Sequence, residues 1–200
     1  MTKKNYYRIT TDILPLNIDH RYHGDGIFGE GTYFSLEYRV SFSLSDNEFA
    51  IIIAYDISPL NPLIINSKDE PDLRDATEII INSEKLAMSL KKKIGSKLEC
   101  WDLCKLTSKN KRDVLVVQGK GDMTPDGGNQ LIIPAASSLS PTPIWFDVCL
   151  PNTEKWTPVI KKLASFGEIR HANDHTDIVG ISWENAPKVD RILRGARTDF

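Results

Sequence analysis

Short runs of apolar, β-branched and aromatic residues, separated by glycine and proline, constrain the fold of this chain most strongly. The clearest is the nearly continuous apolar run at residues 49–55, which is typical of a buried strand. Similar runs predict further strands at residues 6–11, 32–35, 63–65, 114–117 and 130–133. The chain is therefore expected to be built around β-sheet.

Two helices are expected between these strands. Residues 72–93 carry an apolar stripe that follows Pro71 and ends before Gly95, which predicts the longest helix. A shorter helix is expected at residues 96–106, where Cys100 and Cys104 share one face. Because the chain has only 3 cysteines, a disulfide framework is disfavoured, and these two are interpreted as small apolar side chains.

The serine- and proline-rich residues 135–143 predict a domain boundary, which divides the chain into domains at residues 1–136 and 144–200. Beyond it, strands are expected at residues 144–150, 168–171 and 177–183, with helices at 153–165 and 186–193. This βαββα order is most of a ferredoxin-like unit. The predicted fold class is therefore α+β, with a small α+β unit at the C-terminus.

Composition limits the classes of partner. The formal net charge of −2 gives no global basic field, so long-range attraction to nucleic acid is not indicated. No stretch approaches the ~20 apolar residues that span a bilayer, and no apolar segment follows the N-terminal lysines. A cytoplasmic protein without a membrane partner is expected, and export by a specialised secretion system stays open as an alternative.

Three segments carry residue types that suit chemistry. Arg8 lies in the middle of the first predicted strand. The glycine-rich segment FGEGTYFS at residues 28–35 leads into a strand that carries Tyr33 and Ser35. In the segment GGNQLII at residues 127–133, a glycine turn places Gln130 at the start of a strand.

With these segments in this order, the chain resembles the ADP-ribosyltransferase superfamily over roughly residues 5–134. That superfamily is taken broadly, with poly-ADP-ribose polymerases, bacterial mono-ADP-ribosylating toxins and RES-type NAD-degrading toxins. Its members have a first-strand Arg or His, an aromatic-rich strand after a Gly-x-Gly, and a third strand headed by Glu or Gln. The resemblance implies a split β-sheet with helices around a cleft that binds NAD as substrate and needs no metal.

The resemblance also implies a role for each matching residue. Arg8 would anchor phosphate or ribose oxygens, Tyr33 would stack on the nicotinamide ring, and Gln130 would orient the ribose. Ser35 would support that arrangement, and Gly29 and Gly31 would let the backbone approach the ligand. The NAD-binding set is completed by Thr10, Phe34 and His23. For His23, which falls in a loop, a solvated role is the alternative.

Gln130 is the departure from the pattern, because active transferases usually carry Glu there. An amide keeps the hydrogen bond but loses the negative charge, which costs on the order of 2–4 kcal/mol in barrier height. A slower transferase, an NAD glycohydrolase and a binder without catalysis all remain open. Asp122 and Asp126 are the nearest carboxylates that could compensate.

Structural roles are the alternative for every one of these residues: Arg8 as a surface cation, Tyr33 and Phe34 as core aromatics, Gln130 as a polar strand start. The corresponding alternative function is an NAD-cleft remnant that binds protein or nucleic acid through the tryptophan- and cation-rich C-terminal unit. The expected partners are NAD, an unidentified protein or nucleic-acid acceptor, and a cognate inhibitor protein. A metal site at His171 and His175 is disfavoured, because the surrounding pattern predicts a hairpin.

Overall fold

The computed structural model describes residues 5–10, 24–26, 28–38, 44, 48–58, 61–67, 79–81, 103–118 and 130–198. The contacts divide the chain into two compact units. The terminal unit consists of Met1–Asp19, Tyr38–Asp56 and Thr142–Phe200, and the central unit consists of His20–Glu37 and Ile57–Pro141. The structure thus groups the C-terminal residues with the first strand and with residues near 50, whereas the sequence led us to divide the chain at residues 136–144.

The described part of the terminal unit has one antiparallel sheet in the order β10-β11-β9-β4-β1. Its strands are β1 (Asn5–Thr10), β4 (Ala50–Asp56), β9 (Thr142–Pro151), β10 (Gly167–Asn173) and β11 (Thr176–Ser182). Six of the seven residues of β4 are buried. The apolar run at residues 49–55 therefore forms the buried strand that the sequence predicts.

The described residues of this unit include two α-helices, α2 (Thr157–Leu163) and α3 (Ala186–Thr198), and α3 follows a short 3-10 helix at Trp183–Asn185. The helices pack against each other, and α2 also contacts β11. Trp183 meets the ring of Phe146 edge-on at 5.7 Å, and Trp156 meets Phe49 in the same way at 5.9 Å. Trp156 is thus a core residue at 1% exposure, whereas Trp183 is partly buried.

The predicted βαββα order is observed as β9, α2, β10, β11 and α3. Within it, β11 lies between β9 and β10, as in a split βαβ arrangement. The neighbour of β9 on its other side is β4, which comes from residues far earlier in the chain. Residues 142–200 thus share their sheet with a strand from before residue 57 and belong to a unit that also contains it, and the chain passes from the central to the terminal unit between Pro141 and Thr142, within the predicted boundary at 135–143.

The central unit has a mixed sheet in the order β2-β3-β8-β7-β5-β6. Its strands are β2 (Gly24–Gly26), β3 (Gly29–Ser35), β5 (Pro62–Ser67), β6 (Ile79–Ile81), β7 (Val114–Gln118) and β8 (Gln130–Pro134). Strands β5 and β7 are parallel, and the other pairs are antiparallel. Helix α1 (Leu103–Lys109) packs against β3, β7 and β8.

One apolar cluster of the central unit lies between α1 and the sheet. Phe28, Leu103 and Cys104 meet apolar side chains from the strands, and the full cluster is Phe28, Leu63, Ile65, Leu103, Cys104, Leu115, Val117 and Ile132. Cys104 is thus the buried apolar residue that the sequence predicts, and Cys100 lies outside the described residues.

The helix predicted at residues 72–93 is wrong at residues 79–81, which form β6 and pair with β5. Three consecutive isoleucines occupy these positions, and β-branched side chains favour strands over helices. The rest of that prediction lies outside the described residues. The fold class is a mixed, sheet-dominated α+β fold. Among the described residues, every helix is too short or too polar to cross a bilayer.

Candidate functional site

The ladder between β3 and β8 brings three of the predicted site residues of the central unit onto one face of its sheet. Tyr33 pairs with Ile132, and Ser35 pairs directly with Gln130. Residues that pair directly across antiparallel strands, and residues two apart on one strand, point to the same face. Tyr33, Ser35 and Gln130 therefore form a contiguous set.

Tyr33 is held by its hydroxyl group. The hydroxyl donates to the carbonyl oxygen of Gly29 at 2.6 Å and accepts from the backbone N–H of Phe28 at 3.2 Å. Its half-buried ring packs against the core cluster beneath α1. These two hydrogen bonds tie Phe28 and Gly29, at the start of β3, to Tyr33 on the same strand. Stacking of this ring on nicotinamide stays a prediction.

The two glycines of the Gly-x-Gly are required by the backbone itself. Gly29 has φ of 103°, a conformation that L side chains rarely adopt. A Cβ on Gly31 would lie 2.7 Å from the carbonyl oxygen of Ile133. Phe34 points to the other face and is buried at 2% exposure. The spacing of these residues thus has a packing explanation beside the proposed ligand-binding one.

Ser35 and Gln130 are both partly buried at the end of this ladder. The Ser35 hydroxyl donates to the carbonyl oxygen of Glu37 at 2.8 Å and accepts from the N–H of Glu37 at 3.1 Å. This local turn ends β3 and fixes the hydroxyl beside Gln130. The sheet thus positions an amide next to a hydroxyl. The amide can donate and accept hydrogen bonds with sugar hydroxyls, whereas the hydroxyl, which donates to Glu37, can only accept.

Arg8 and Thr10 belong to the terminal unit, where β1 pairs Arg8 with Ile53 and Thr10 with Ile51 of β4. Arg8 shares its face with Tyr55, whose pKa burial raises to about 12 while the positive charge of Arg8 opposes that rise. The convergence of Arg8 with Tyr33 and Gln130 on one ligand stays a prediction. His23, Asp122 and Asp126 lie outside the described residues.

The histidines of the C-terminal hairpin lie as the sequence predicts. His171 is on β10, and His175 follows Asp174 in the turn before β11. The Nδ1 atom of His171 lies 2.5 Å from an oxygen of Asp177. Over the described ranges, no three His, Cys, Asp or Glu side chains come together as a metal site would require.

The terminal unit also contains a polar cluster that the sequence does not predict. Asp147 is fully buried in β9, and Arg170 and Tyr38 both bond to its carboxylate. Cys149 lies two residues further along, and burial raises the pKa of its thiol to about 12. One sequence signal could have revealed the cluster: a single carboxylate interrupts the apolar strand IWFDVCL.

A groove of about 440 Å³ lies between α2 and α3 on the terminal unit. Val159, Ile192 and Ala196 contribute apolar side chains to its lining, and Lys155, Lys162 and Arg191 contribute cations. Within the described part of the chain, no carboxylate forms an ion pair with Lys162 or Arg191. The groove therefore combines an apolar floor with three cations, of which Lys162 and Arg191 have no ion-pair partner among the described residues.

Comparison of the chain with protein-family models, with curated proteins and with solved structures found no match. The proposals below therefore depend on the residues and the geometry of this chain.

Proposed function

We propose that this chain is an NAD-dependent mono-ADP-ribosyltransferase, of the kind found among toxins, effectors and defence proteins, with NAD glycohydrolase activity when water is the acceptor. The observation that carries the proposal is the direct pairing of Ser35 with Gln130, on the face that also holds Tyr33. The resemblance assigns these three residues to one site from segments about 100 positions apart, and β3 and β8 are neighbours.

The reaction breaks the bond between nicotinamide and the ribose, and a nucleophile then bonds to the anomeric carbon. Nicotinamide leaves with the bonding electron pair, so positive charge develops on the sugar. Gln130 would hold a ribose hydroxyl through its amide, and Ser35, its direct partner across the ladder, would support that contact. Because an amide is neutral, electrostatic stabilisation of that charge must come from elsewhere, and turnover is expected to be slow. Arg8 would anchor the pyrophosphate.

Nicotinamide release from NAD tests the proposal directly. Wild-type chain is expected to release nicotinamide, Gln130→Ala to release little, and Gln130→Glu to release it faster because the carboxylate restores the charge. Asn152→Ala is the matched control, since it removes an exposed amide from the other unit. Thermal melting of each variant confirms that it is folded. Absence of release from wild-type chain, or equal release from Gln130→Ala, would overturn the proposal.

The groove between α2 and α3 favours a second candidate, a binding module without catalysis. Its occupant would be an acidic, amphipathic helix of a protein partner, because the apolar floor suits a helix face and the cations suit its carboxylates. The described lining has no aromatic side chain on which nucleic-acid bases could stack.

A fluorescent helical peptide with leucine on one face and glutamate elsewhere tests this candidate. Binding should weaken with salt and be lost in Arg191→Glu, whereas Lys111→Glu, an exposed cation of the central unit, should leave it unchanged. Equal binding of the peptide to both variants would remove the candidate. Tighter binding of single-stranded DNA would assign the groove to nucleic acid instead.

A further inference from the structure

The outer strand of the terminal sheet, β10, has one neighbour among the described residues. It pairs with β11 and lies at the end of the strand order. Six of its seven residues are exposed, although most of β11 is buried. An edge of this kind presents unpaired backbone N–H and C=O groups that another strand can use.

The side chains along β10 are self-complementary. Ile169, a large apolar residue with 39% exposure, lies between Glu168 and Arg170. If a second β10 pairs antiparallel about a two-fold axis at Ile169, the two isoleucines meet and each Glu168 lies opposite an Arg170. His171 then lies opposite Gly167, which has no side chain to obstruct it. We propose that β10 is a self-association edge, and that its occupant is a second copy of this chain in this register.

The charges select the register. Moving the axis to Glu168 would place glutamate opposite glutamate, and moving it to Arg170 would place arginine opposite arginine. Like charges that face each other across strands are destabilising, and opposite charges stabilise by roughly 0.2–1 kcal/mol. A slip of one residue would place Ile169 opposite a charged residue and join opposite faces of the two sheets. The register about Ile169 avoids pairs of like charges and keeps the same face of both sheets on one side.

Charged residues on an edge strand commonly prevent pairing, so the position of Arg170 matters. Its Nη2 atom bonds Asp147 within the same chain, and the side chain is still 48% exposed. Part of the guanidinium therefore remains available to the carboxylate of Glu168 from the second copy. A β-bulge follows His171 and limits the regular pairing to residues 167–171. Such a short ladder is small for a stable interface, so the dimer is expected to be weak and concentration-dependent.

Disulfide trapping tests the proposed axis. In Ile169→Cys, the introduced thiols of two paired copies would have Cα atoms about 4.5–5.5 Å apart, which is within disulfide range. Oxidation by diamide removes two electrons and two protons from the thiol pair and forms the bond. Every trapping variant also carries Cys100→Ser, so that the introduced thiol competes only with Cys104 and Cys149, which are buried. The covalent dimer is measured on non-reducing gels at several protein concentrations.

Ile144→Cys is the matched control, because Ile144 has nearly the same exposure, 36%. It lies on β9, two strands from the edge and so about 10 Å away from it. Ile169→Cys is expected to give several-fold more covalent dimer than Ile144→Cys. Adding Glu168→Arg should reduce the yield to the control level, and adding Glu168→Gln should reduce it less.

Equal trapping of the two single variants would overturn the proposal, and so would trapping that Glu168→Arg does not reduce. Sedimentation equilibrium of the chain without introduced cysteines gives an independent readout. Glu168→Arg should weaken its association, while melting temperatures show that both proteins are folded. A chain that stays monomeric at all accessible concentrations would also overturn it.

Discussion

Arg170 places its Nη2 atom 2.7 Å from both carboxylate oxygens of Asp147, whose side chain is fully buried. Tyr38 donates its hydroxyl to the same carboxylate, and burial raises the pKa of Tyr38. Gly180 lies beneath the pair, and a Cβ there would be 3.1 Å from one carboxylate oxygen. The ion pair between Arg170 and Asp147 thus passes over Gly180, the glycine of β11, and joins β10 to β9.

Removal of Arg170 should be strongly destabilising, because a buried charge would lose its counter-ion. Breaking a buried ion pair typically costs about 3–5 kcal/mol, and the partial exposure of Arg170 lowers the expectation for Arg170→Met to about 2–4 kcal/mol. The free energy of unfolding from urea denaturation measures the effect.

Two further variants separate this effect from the general loss of a surface cation. Arg191→Met removes an exposed guanidinium without an ion pair among the described residues, and its effect should stay within about 0.5 kcal/mol. The double variant Arg170→Met with Asp147→Asn should recover part of the loss, because no buried charge remains. Equal stabilities of Arg170→Met and Arg191→Met would contradict the prediction.

Gly31 and Gly195 should respond oppositely to alanine. At Gly31 the added Cβ would lie 2.7 Å from a backbone oxygen of β8, so Gly31→Ala must push β3 and β8 apart and should cost more than about 2 kcal/mol. At Gly195, on α3, nothing lies within 4 Å of the added atom. Gly195→Ala should stabilise by about 0.5–1 kcal/mol through helix propensity. Thermal melting of the two variants checks both signs.

Local patterns predicted much of the fold. The buried run at residues 49–55 forms β4, and the alternation near His171 forms the hairpin of β10 and β11. At residues 79–81 the apolar stripe fits a helix, but the three isoleucines form a strand. Placement of β4 beside β9 could not be predicted, because pairing between strands far apart in sequence leaves no local periodicity.

The candidate site was predicted unevenly. The pairing of Ser35 with Gln130 agrees with the arrangement that the resemblance implies. Gly29 and Gly31 of the same motif are also required by the backbone of β3. The Gly-x-Gly pattern alone therefore does not distinguish a ligand-binding loop from a tightly packed strand. The partners of Asp147 leave no local signal in the sequence, because Tyr38 and Arg170 are 109 and 23 positions away.

The buried thiols should make stability depend on alkaline pH. Burial raises the pKa of Cys104 and Cys149 from 9.0 to about 12, so the unfolded chain loses these protons first as pH rises. The two thiols contribute fully to the free energy of unfolding below pH 9. This contribution is lost between about pH 9 and 12, and the free energy falls by up to about 1.4 kcal/mol per pH unit for each thiol. Urea unfolding between pH 8 and 10.5 should show a shallower decline in Cys149→Ala than in wild-type chain. If the free energy of unfolding fell equally steeply with pH in both proteins, the predicted contribution of Cys149 would be contradicted.

Substitutions at Tyr33 should separate its structural role from its proposed contact with nicotinamide. Tyr33→Phe keeps the ring but leaves the carbonyl of Gly29 and the N–H of Phe28 without the hydroxyl, which should cost about 1–2 kcal/mol of stability. Tyr33→Ala also removes the ring from the core cluster and should cost about 3–5 kcal/mol.

The rates of nicotinamide release by the two Tyr33 variants, measured well below their melting temperatures, should diverge. If the ring stacks on the substrate, Tyr33→Phe retains most of the wild-type rate, because stacking needs the aromatic face and not the hydroxyl. Tyr33→Ala then loses nearly all of it and shows a raised KM for NAD. A Tyr33→Ala protein that is folded and as active as Tyr33→Phe would leave this ring with a structural role and no part in binding nicotinamide.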